Sequence, residues 1–258
     1  DESNKLYSDV NLEFEPSKFY AIVGESGSGK TTILSFLAGL DAPREGEIAI
    51  DGQPINEIGL TKYRQHYVAT IFQSYNLLTS MTAYQNIETA LAVTDSSHKG
   101  DRQYIVDQLA RVGIDKEKAF KNVQKLSGGE QQRVAIVRAL LVDAPIVAAD
   151  EATGNLDHEN SELIVDLFKE LAHEYSKTVI LITHDFGVVA GMADKIAVMY
   201  AGKIIEKGYR KDIFYNPKHP YTWALLNAVP KLEWKNKQLL NTIKGTPPDL
   251  VSPPKGCA

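Results

Sequence analysis

One run constrains this chain more than any other: Gly24-Glu25-Ser26-Gly27-Ser28-Gly29-Lys30-Thr31. It follows the short apolar stretch at residues 19–23 and opens residues 30–40, which carry a helical pattern. Glycines at Gly24, Gly27 and Gly29 let a chain leaving a strand turn tightly, with its N–H groups pointing into the turn. The positive end of the helix that follows adds to that field, so the turn is an anion cradle. The spacing G-x-x-x-x-G-K-T then supplies two further parts. Lys30 brings a mobile charge to β- and γ-phosphates, and Thr31 offers a hydroxyl to Mg²⁺. Candidate nucleotide-binding residues are therefore Gly24, Glu25, Ser26, Gly27, Ser28, Gly29, Lys30, Thr31 and Thr32.

The rest of the chain alternates strand and helix around that turn. Residues 47–50 followed by Asp51-Gly52 read as a strand and its hairpin turn, and residues 67–72 as another strand. Residues 75–140 read as a helical insertion, with Leu91, Ile105, Leu109 and Val112 at helical spacings among polar residues. Residues 145–149 and 178–183 are apolar without alternation, as in parallel strands covered on both faces. A helix is expected over 159–175, and a late hairpin at 195–200 and 203–206 around Ala201-Gly202. Seven of the eleven prolines lie from Pro217 onward. Residues 212–229 read as a short helical appendage, 245–258 as an extended tail, and 212–258 together as a C-terminal extension. The fold class is α/β, with a mostly parallel sheet, an antiparallel β portion and an inserted helical subdomain. The 258 residues form a single domain in this reading.

Two acids end the buried strand Ile146-Val147-Ala148-Ala149, namely Asp150 and Glu151. A strand covered on both faces cannot hide charges along its length, but its C-terminal end opens where ligands bind in such sheets. Asp150 there can hold Mg²⁺ through water, and Glu151 can polarise a water for attack on a γ-phosphate. Positioning and charge carry that reaction, with little covalent chemistry needed.

The string Leu126-Ser127-Gly128-Gly129-Glu130-Gln131-Gln132-Arg133 precedes a helical pattern at 134–141. Ser127 with Glu130 three residues on fits a capped helix start. The same hydroxyl and glycine N–H groups form a second phosphate geometry in one chain. This string resembles the signature motif of ABC-type ATPases, which have a P-loop NTPase core. The resemblance implies that Ser127, Gly128 and Gly129 serve ATP held by the Lys30 of a second ABC ATPase subunit, two chains sandwiching two ATPs head to tail. It further implies that Gln73 contacts metal and attacking water, that Asp157 in Gly154-Asn155-Leu156-Asp157 communicates across the dimer, and that His184 in Thr183-His184-Asp185 senses the γ-phosphate. The strand before His184 should lie beside the one carrying Asp150. The implied catalytic set is Glu151, His184, Gln73 and Lys30, and the implied metal set is Thr31, Gln73 and Asp150, with ATP and Mg²⁺ as cofactors. Two departures stand out. Ala152 occupies a place where many members have proline. Tyr7 and Phe14 stand off the offset expected for an adenine-stacking aromatic, which is expected upstream of Asp1.

Two sub-family resemblances share the chain. Ile71-Phe72-Gln73-Ser74-Tyr75-Asn76-Leu77-Leu78 and Gly154–Asp157 resemble lipoprotein-release and macrolide-exporter ATPases. From about Asp185 on, Gly208, Phe214 to Leu226 and Gly245-Thr246-Pro247-Pro248 resemble oligopeptide and dipeptide importer ATPases. A recombined gene, a chimera or an unusual importer branch would each produce that pairing. Pro253-Pro254-Lys255-Gly256-Cys257 resembles the start of a cysteine-bearing importer segment, but one cysteine completes no iron–sulfur cluster.

Composition narrows the function class. With 28 basic and 33 acidic residues the net charge is −5, which argues against a nucleic-acid partner. No apolar run approaches the roughly 18 residues that span a bilayer, so action at a membrane requires partner permease subunits. The expectation is the ATP-hydrolysing subunit of an ABC transporter, peripheral on the cytoplasmic face, with peptides as the substrate that the C-terminal resemblance implies. Two alternatives stay open. A soluble ABC ATPase acting on DNA or ribosomes would carry long coiled coils between Gln73 and Ser127, or a second cassette, and this chain has neither. A nucleotide-dependent interaction module without efficient hydrolysis is the other.

Overall fold

A computed structural model describes residues 7, 10–94, 96–151 and 158–228. In chain order the elements are β1 (Phe19–Val23), α1 (Lys30–Leu37), β2 (Ala49–Ile50), β3 (Gln53–Pro54), α2 (Ile55–Ile58), α3 (Leu60–His66) and β4 (Val68–Ile71). Next come α4 (Ala83–Ala92), α5 (Arg102–Arg111), α6 (Lys116–Ala119) and α7 (Gly128–Leu141). The chain then runs through β5 (Ile146–Asp150), α8 (His158–His173), β6 (Thr178–Thr183), α9 (Phe186–Ala190), β7 (Lys195–Tyr200), β8 (Lys203–Tyr209), α10 (Arg210–Tyr215) and α11 (Pro220–Ala228).

The main sheet has the order β4-β5-β6-β1-β7-β8. Its first five strands are parallel and β8 runs antiparallel to β7. The expected mostly parallel sheet with an antiparallel portion is what forms, and β6 does lie beside β5. β2 and β3 make a separate two-stranded hairpin, shorter than the expected 47–50 strand. Its turn is Asp51-Gly52, both left-handed at φ 50° and 78°, which suits a two-residue hairpin.

The unbroken apolar runs follow from cover on both faces. Phe19, Ala21 and Val23 of β1 pack into a core with Ile164 and Phe168 of α8 and Ile136 of α7. Ile22 points the other way, toward Ile33 and Leu34 of α1 and Ile180 and Ile182 of β6. Alternate residues thus enter two cores, so each is apolar. Each fully buried Ile, Leu or Phe contributes roughly 1.5–3 kcal/mol.

Helices α4–α7 stand between β4 and β5 in chain order. Ile87, Leu91, Ile105, Leu109 and Ile114 are buried among them, and they join the α7–α8 core rather than forming a separate one. Helix α1 ends at Leu37, earlier than expected, because the Gly39 turn (φ 63°) closes it. The expected extended tail at 245–258 lies outside the described residues.

Candidate active site

The register of the parallel strands brings the sequence motifs to one edge. Val23 pairs with Thr183, Asp150 with Ile182, and Ile71 with Ala149. The segments leaving β1, β4, β5 and β6 therefore emerge side by side, at the C-terminal end of the sheet. They carry Gly24, Gln73, Glu151 and His184 respectively.

Gly24 has no room for a side chain. A Cβ there would stand 2.2 Å from the Met199 carbonyl oxygen of β7. Gly29, at φ 103°, turns the chain into α1 as its N-cap and donates no side-chain cap. Helices α4, α5, α6 and α7 differ. Their first-turn N–H groups are met by the side chains of Thr82, Asp101, Asp115 and Ser127. No side chain caps the start of α1, so its positive end is open to an anion.

Lys30 is buried, and its Nζ donates to the carbonyls of Gly24 (2.8 Å) and Glu25 (2.7 Å) and to Ser28 Oγ (3.4 Å). Burial holds its pKa below the usual lysine value, against the opposing pull of Glu151, Asp150 and Glu25. Ser26, Gly27 and Thr31 are exposed around it.

The carboxylates lie among other residues of the sequence motifs. Glu151 sits at φ 41°, a left-handed conformation that costs a non-glycine residue about 1–2 kcal/mol. Its N–H donates to the Ile182 carbonyl (2.8 Å), which fixes it to β6. Gln73 Nε2 donates to Glu151 Oε2 (3.1 Å), and His184 Nδ1 lies 2.9 Å from Glu151 Oε1. Asp150 is half-buried. Burial raises its pKa, the neighbouring Glu151 raises it further, and Lys30 opposes both. Two adjacent carboxylates facing a single ammonium suit an added cation.

A divalent ion fits this donor set in one particular way. Among the described residues no cluster of three or more His, Cys, Asp or Glu side chains could hold a metal. An ion that arrives on phosphates and keeps its waters needs only one or two protein oxygens, and that is the habit of Mg²⁺.

Ser127, Gly128 and Gly129 start α7, in the inserted helices. The Ser127 hydroxyl and N–H both pair with Glu130: Glu130 N–H donates to Ser127 Oγ (3.3 Å), and Ser127 N–H donates to Glu130 Oε2 (2.8 Å). Ser127 and Gly128 are exposed, and neither touches the Glu151 cluster. One chain brings Gln73, Glu151 and His184 together around the loop with Lys30, while Ser127 stands apart. Asp157 and residues 154–156 lie outside the described residues. A 260 Å³ cavity lined by His98, Tyr104, Tyr175 and Lys177 opens at the other end of β5 and β6 and holds none of these residues.

Several site contacts have no local sequence pattern. Arg138 of α7 donates to the carbonyls of Asn76 (2.8 Å) and Tyr75 (3.2 Å), tying the segment after Gln73 to α7. Tyr7 touches the phosphate loop itself, while Phe14 is engaged elsewhere. The Tyr7 hydroxyl donates to the Gly29 carbonyl and its ring meets Phe36 edge-on, while Phe14 packs edge-on to Tyr20 at 4.9 Å. Gly202 and Tyr221 also reach the loop, from the far end of the chain.

Comparison with known proteins agrees with the fold. The family described as ABC transporter matches residues 7–154, and the one described as oligopeptide/dipeptide transporter, C-terminal region, matches residues 205–258. The ABC transporter ATP-binding protein YclH of Bacillus subtilis (strain 168) is 51% identical over 71% of this chain and 81% of its own length. The oligopeptide transport ATP-binding protein OppD of the same organism is 38% identical over 96% of this chain and 73% of its own length. Among solved structures, the dimeric MJ0796, a bacterial ABC transporter cassette, superposes with a TM-score of 0.72 at 36% identity, covering 80% of this chain and 90% of that one. A post-hydrolysis dimer of MJ0796 bound to ADP and Pi gives a TM-score of 0.72 at 35% identity, with the same coverage. The chain belongs to the ABC transporter family, as an ATPase subunit homologous to oligopeptide and dipeptide transport ATP-binding proteins.

Proposed function

We propose that this chain binds ATP at residues Gly24–Thr32 and hydrolyses it to drive transport, of peptides in the reading favoured by its C-terminal match, through a membrane permease. The observation that carries the proposal is the Gln73–Glu151–His184 cluster beside a phosphate loop whose helix has no side-chain cap. In this reading Lys30 exchanges its bonds to the Gly24 and Glu25 carbonyls for phosphate oxygens. Glu151 accepts the proton of the attacking water, Gln73 orients that water, and His184 turns from Glu151 to the γ-phosphate. His184 is free to do so, since its side chain is 54% exposed against 21% for Glu151. Thr31, Gln73 and Asp150 would hold Mg²⁺, which supplies charge neutralisation at the phosphates.

Head-to-tail pairing of two subunits would bring Ser127, Gly128, Gly129 and Asp157 of one to the ATP of the other. Residues 75–140 would carry that motion to the permease. Among the described residues no helix is long and apolar enough to cross a membrane, which suits a peripheral subunit on its cytoplasmic face.

The test is Mg-ATP binding and turnover by wild type beside Glu151→Gln, with sizing in each state. The expected result is turnover reduced by about 100-fold or more with binding kept, and an ATP-dependent dimer in the variant. Equal turnover in the two proteins removes Glu151 from the role of base.

A further inference from the structure

The phosphate loop has an outer wall made by residues near the end of the described chain. The Gly202 N–H, in the β7–β8 turn, donates to the Ser28 carbonyl (3.0 Å). The Met199 carbonyl faces Gly24, and the β7–β8 register shifts between Val198 and Met199, beside that approach. The third contact comes from α11. The Glu25 N–H donates to the Tyr221 hydroxyl (3.4 Å), and the Tyr221 ring packs on Tyr200 at 4.6 Å.

Helix α11 is itself held in place. The two carboxylate oxygens of Glu206 in β8 accept the N–H groups of Lys218 (2.7 Å) and His219 (3.1 Å). A carboxylate at a helix start is favourable there. His219 Nδ1 accepts the Tyr221 N–H (3.1 Å), and Leu225 and Leu226 pack against the main core.

One peptide group joins this wall to the chemistry. The Gly24–Glu25 peptide presents its carbonyl to Lys30 Nζ (2.8 Å) and its N–H to Tyr221. Lys30 and Tyr221 therefore hold opposite sides of the same planar unit. When Lys30 turns to a phosphate it releases the carbonyl, and only the Tyr221 side continues to orient that peptide. We infer that Tyr221 is a positioning residue for nucleotide binding, and that α11 braces the phosphate loop from the C-terminal part of the chain. The inference rests on the ATP reading above. It goes beyond that reading by assigning a role to a segment that contributes no group to the reacting phosphates.

Tyr221→Phe tests it, since the ring stays on Tyr200 and only the hydroxyl is lost. The expected result is a KM for Mg-ATP raised about two- to fivefold, the range of one modest hydrogen bond, with kcat within about twofold. Glu206→Ala, which frees the start of α11 without touching the loop, should raise KM in the same direction. A second readout uses Trp223, exposed on α11 and, in a Trp234→Phe background, the sole tryptophan. Its emission should respond to Mg-ATP when Tyr221 is present and lose most of that response in Tyr221→Phe. If wild type binds Mg-ATP and Tyr221→Phe matches it in both KM and Trp223 response, the brace is wrong and the ATP site stands. A KM rise in Glu206→Ala alone also overturns the Tyr221 assignment. Absence of Mg-ATP binding by wild type overturns both readings.

Discussion

Helices α1 and α7 both begin in glycine-rich turns, and both are candidate phosphate sites, yet their starts are satisfied in opposite ways. At α7 the chain closes on itself. Ser127 and Glu130 exchange hydrogen bonds, and Glu130 also meets Lys118 at 2.8 Å. At α1 no side chain caps the helix, and the nearby charge, Lys30, is folded onto carbonyls of its own loop. Ser127 and Gly128 lie exposed, while Gly24, Ser28 and Lys30 are buried. The contrast separates an open helix start from a closed one. The α1 start is left uncapped by any side chain, with Lys30 held by its own loop. The α7 start is closed by its own capping box and stays exposed.

Lys30→Ala strikes the first site hardest. Removing a charged donor from a buried phosphate contact costs about 1.5–3 kcal/mol, so Mg-ATP affinity should fall about 10- to 100-fold. Equilibrium binding measures this directly, and affinity within twofold of wild type would demote the loop to a structural turn. Gly24→Ala and Gly128→Ala then compare the walls behind the two glycine turns. A Cβ at Gly24 meets the backbone oxygen of Met199 at 2.2 Å, which neither β1 nor β7 can yield without shifting. About 1–3 kcal/mol of stability should go. A Cβ at Gly128 meets only the end of the Tyr75 side chain at 3.1 Å, which can swing away. Urea melts should show little loss there. Equal losses at the two positions would mean that the α7 turn is as tightly walled as the α1 turn.

The unequal legibility of these parts has a physical cause. Residues 19–23, 178–183 and 195–200 were readable as strands to the residue because burial on both faces makes the apolar run end where the strand ends. The loop, the two carboxylates and His184 were readable because each sits within a few residues of such a strand end. The strand expected at 47–50 shrank to Ala49–Ile50, where one exposed hairpin supplies little to pack against. The grip of Arg138 on Tyr75 and Asn76 spans more than 60 residues, and that of Tyr221 on Glu25 spans 196. They depend on strand order, with β4 beside β5 and β1 beside β7, and no local pattern encodes that order.

The capping box of α7 gives the smallest and most discriminating effects. Glu130→Ala removes the acceptor for the Ser127 N–H and should cost about 1 kcal/mol of stability, with Mg-ATP binding to the single chain unchanged. Glu130→Gln keeps an acceptor and loses only the charge facing Lys118, so its cost should be smaller than that of Glu130→Ala. The pH dependence separates the two contributions. The hydrogen bond and charge of Lys118 hold the Glu130 pKa below its ordinary value of 4.5, despite partial burial. A carboxylate depressed on folding stabilises above its unfolded pKa, and that stabilisation is lost as pH falls through the folded value. The gap between wild type and Glu130→Gln should therefore be constant above about pH 5 and close as pH drops below 4.5. A gap that stays open in acid would show that the α7 start depends on the shape of the cap and not on its charge. Its difference from α1 would then be one of geometry alone.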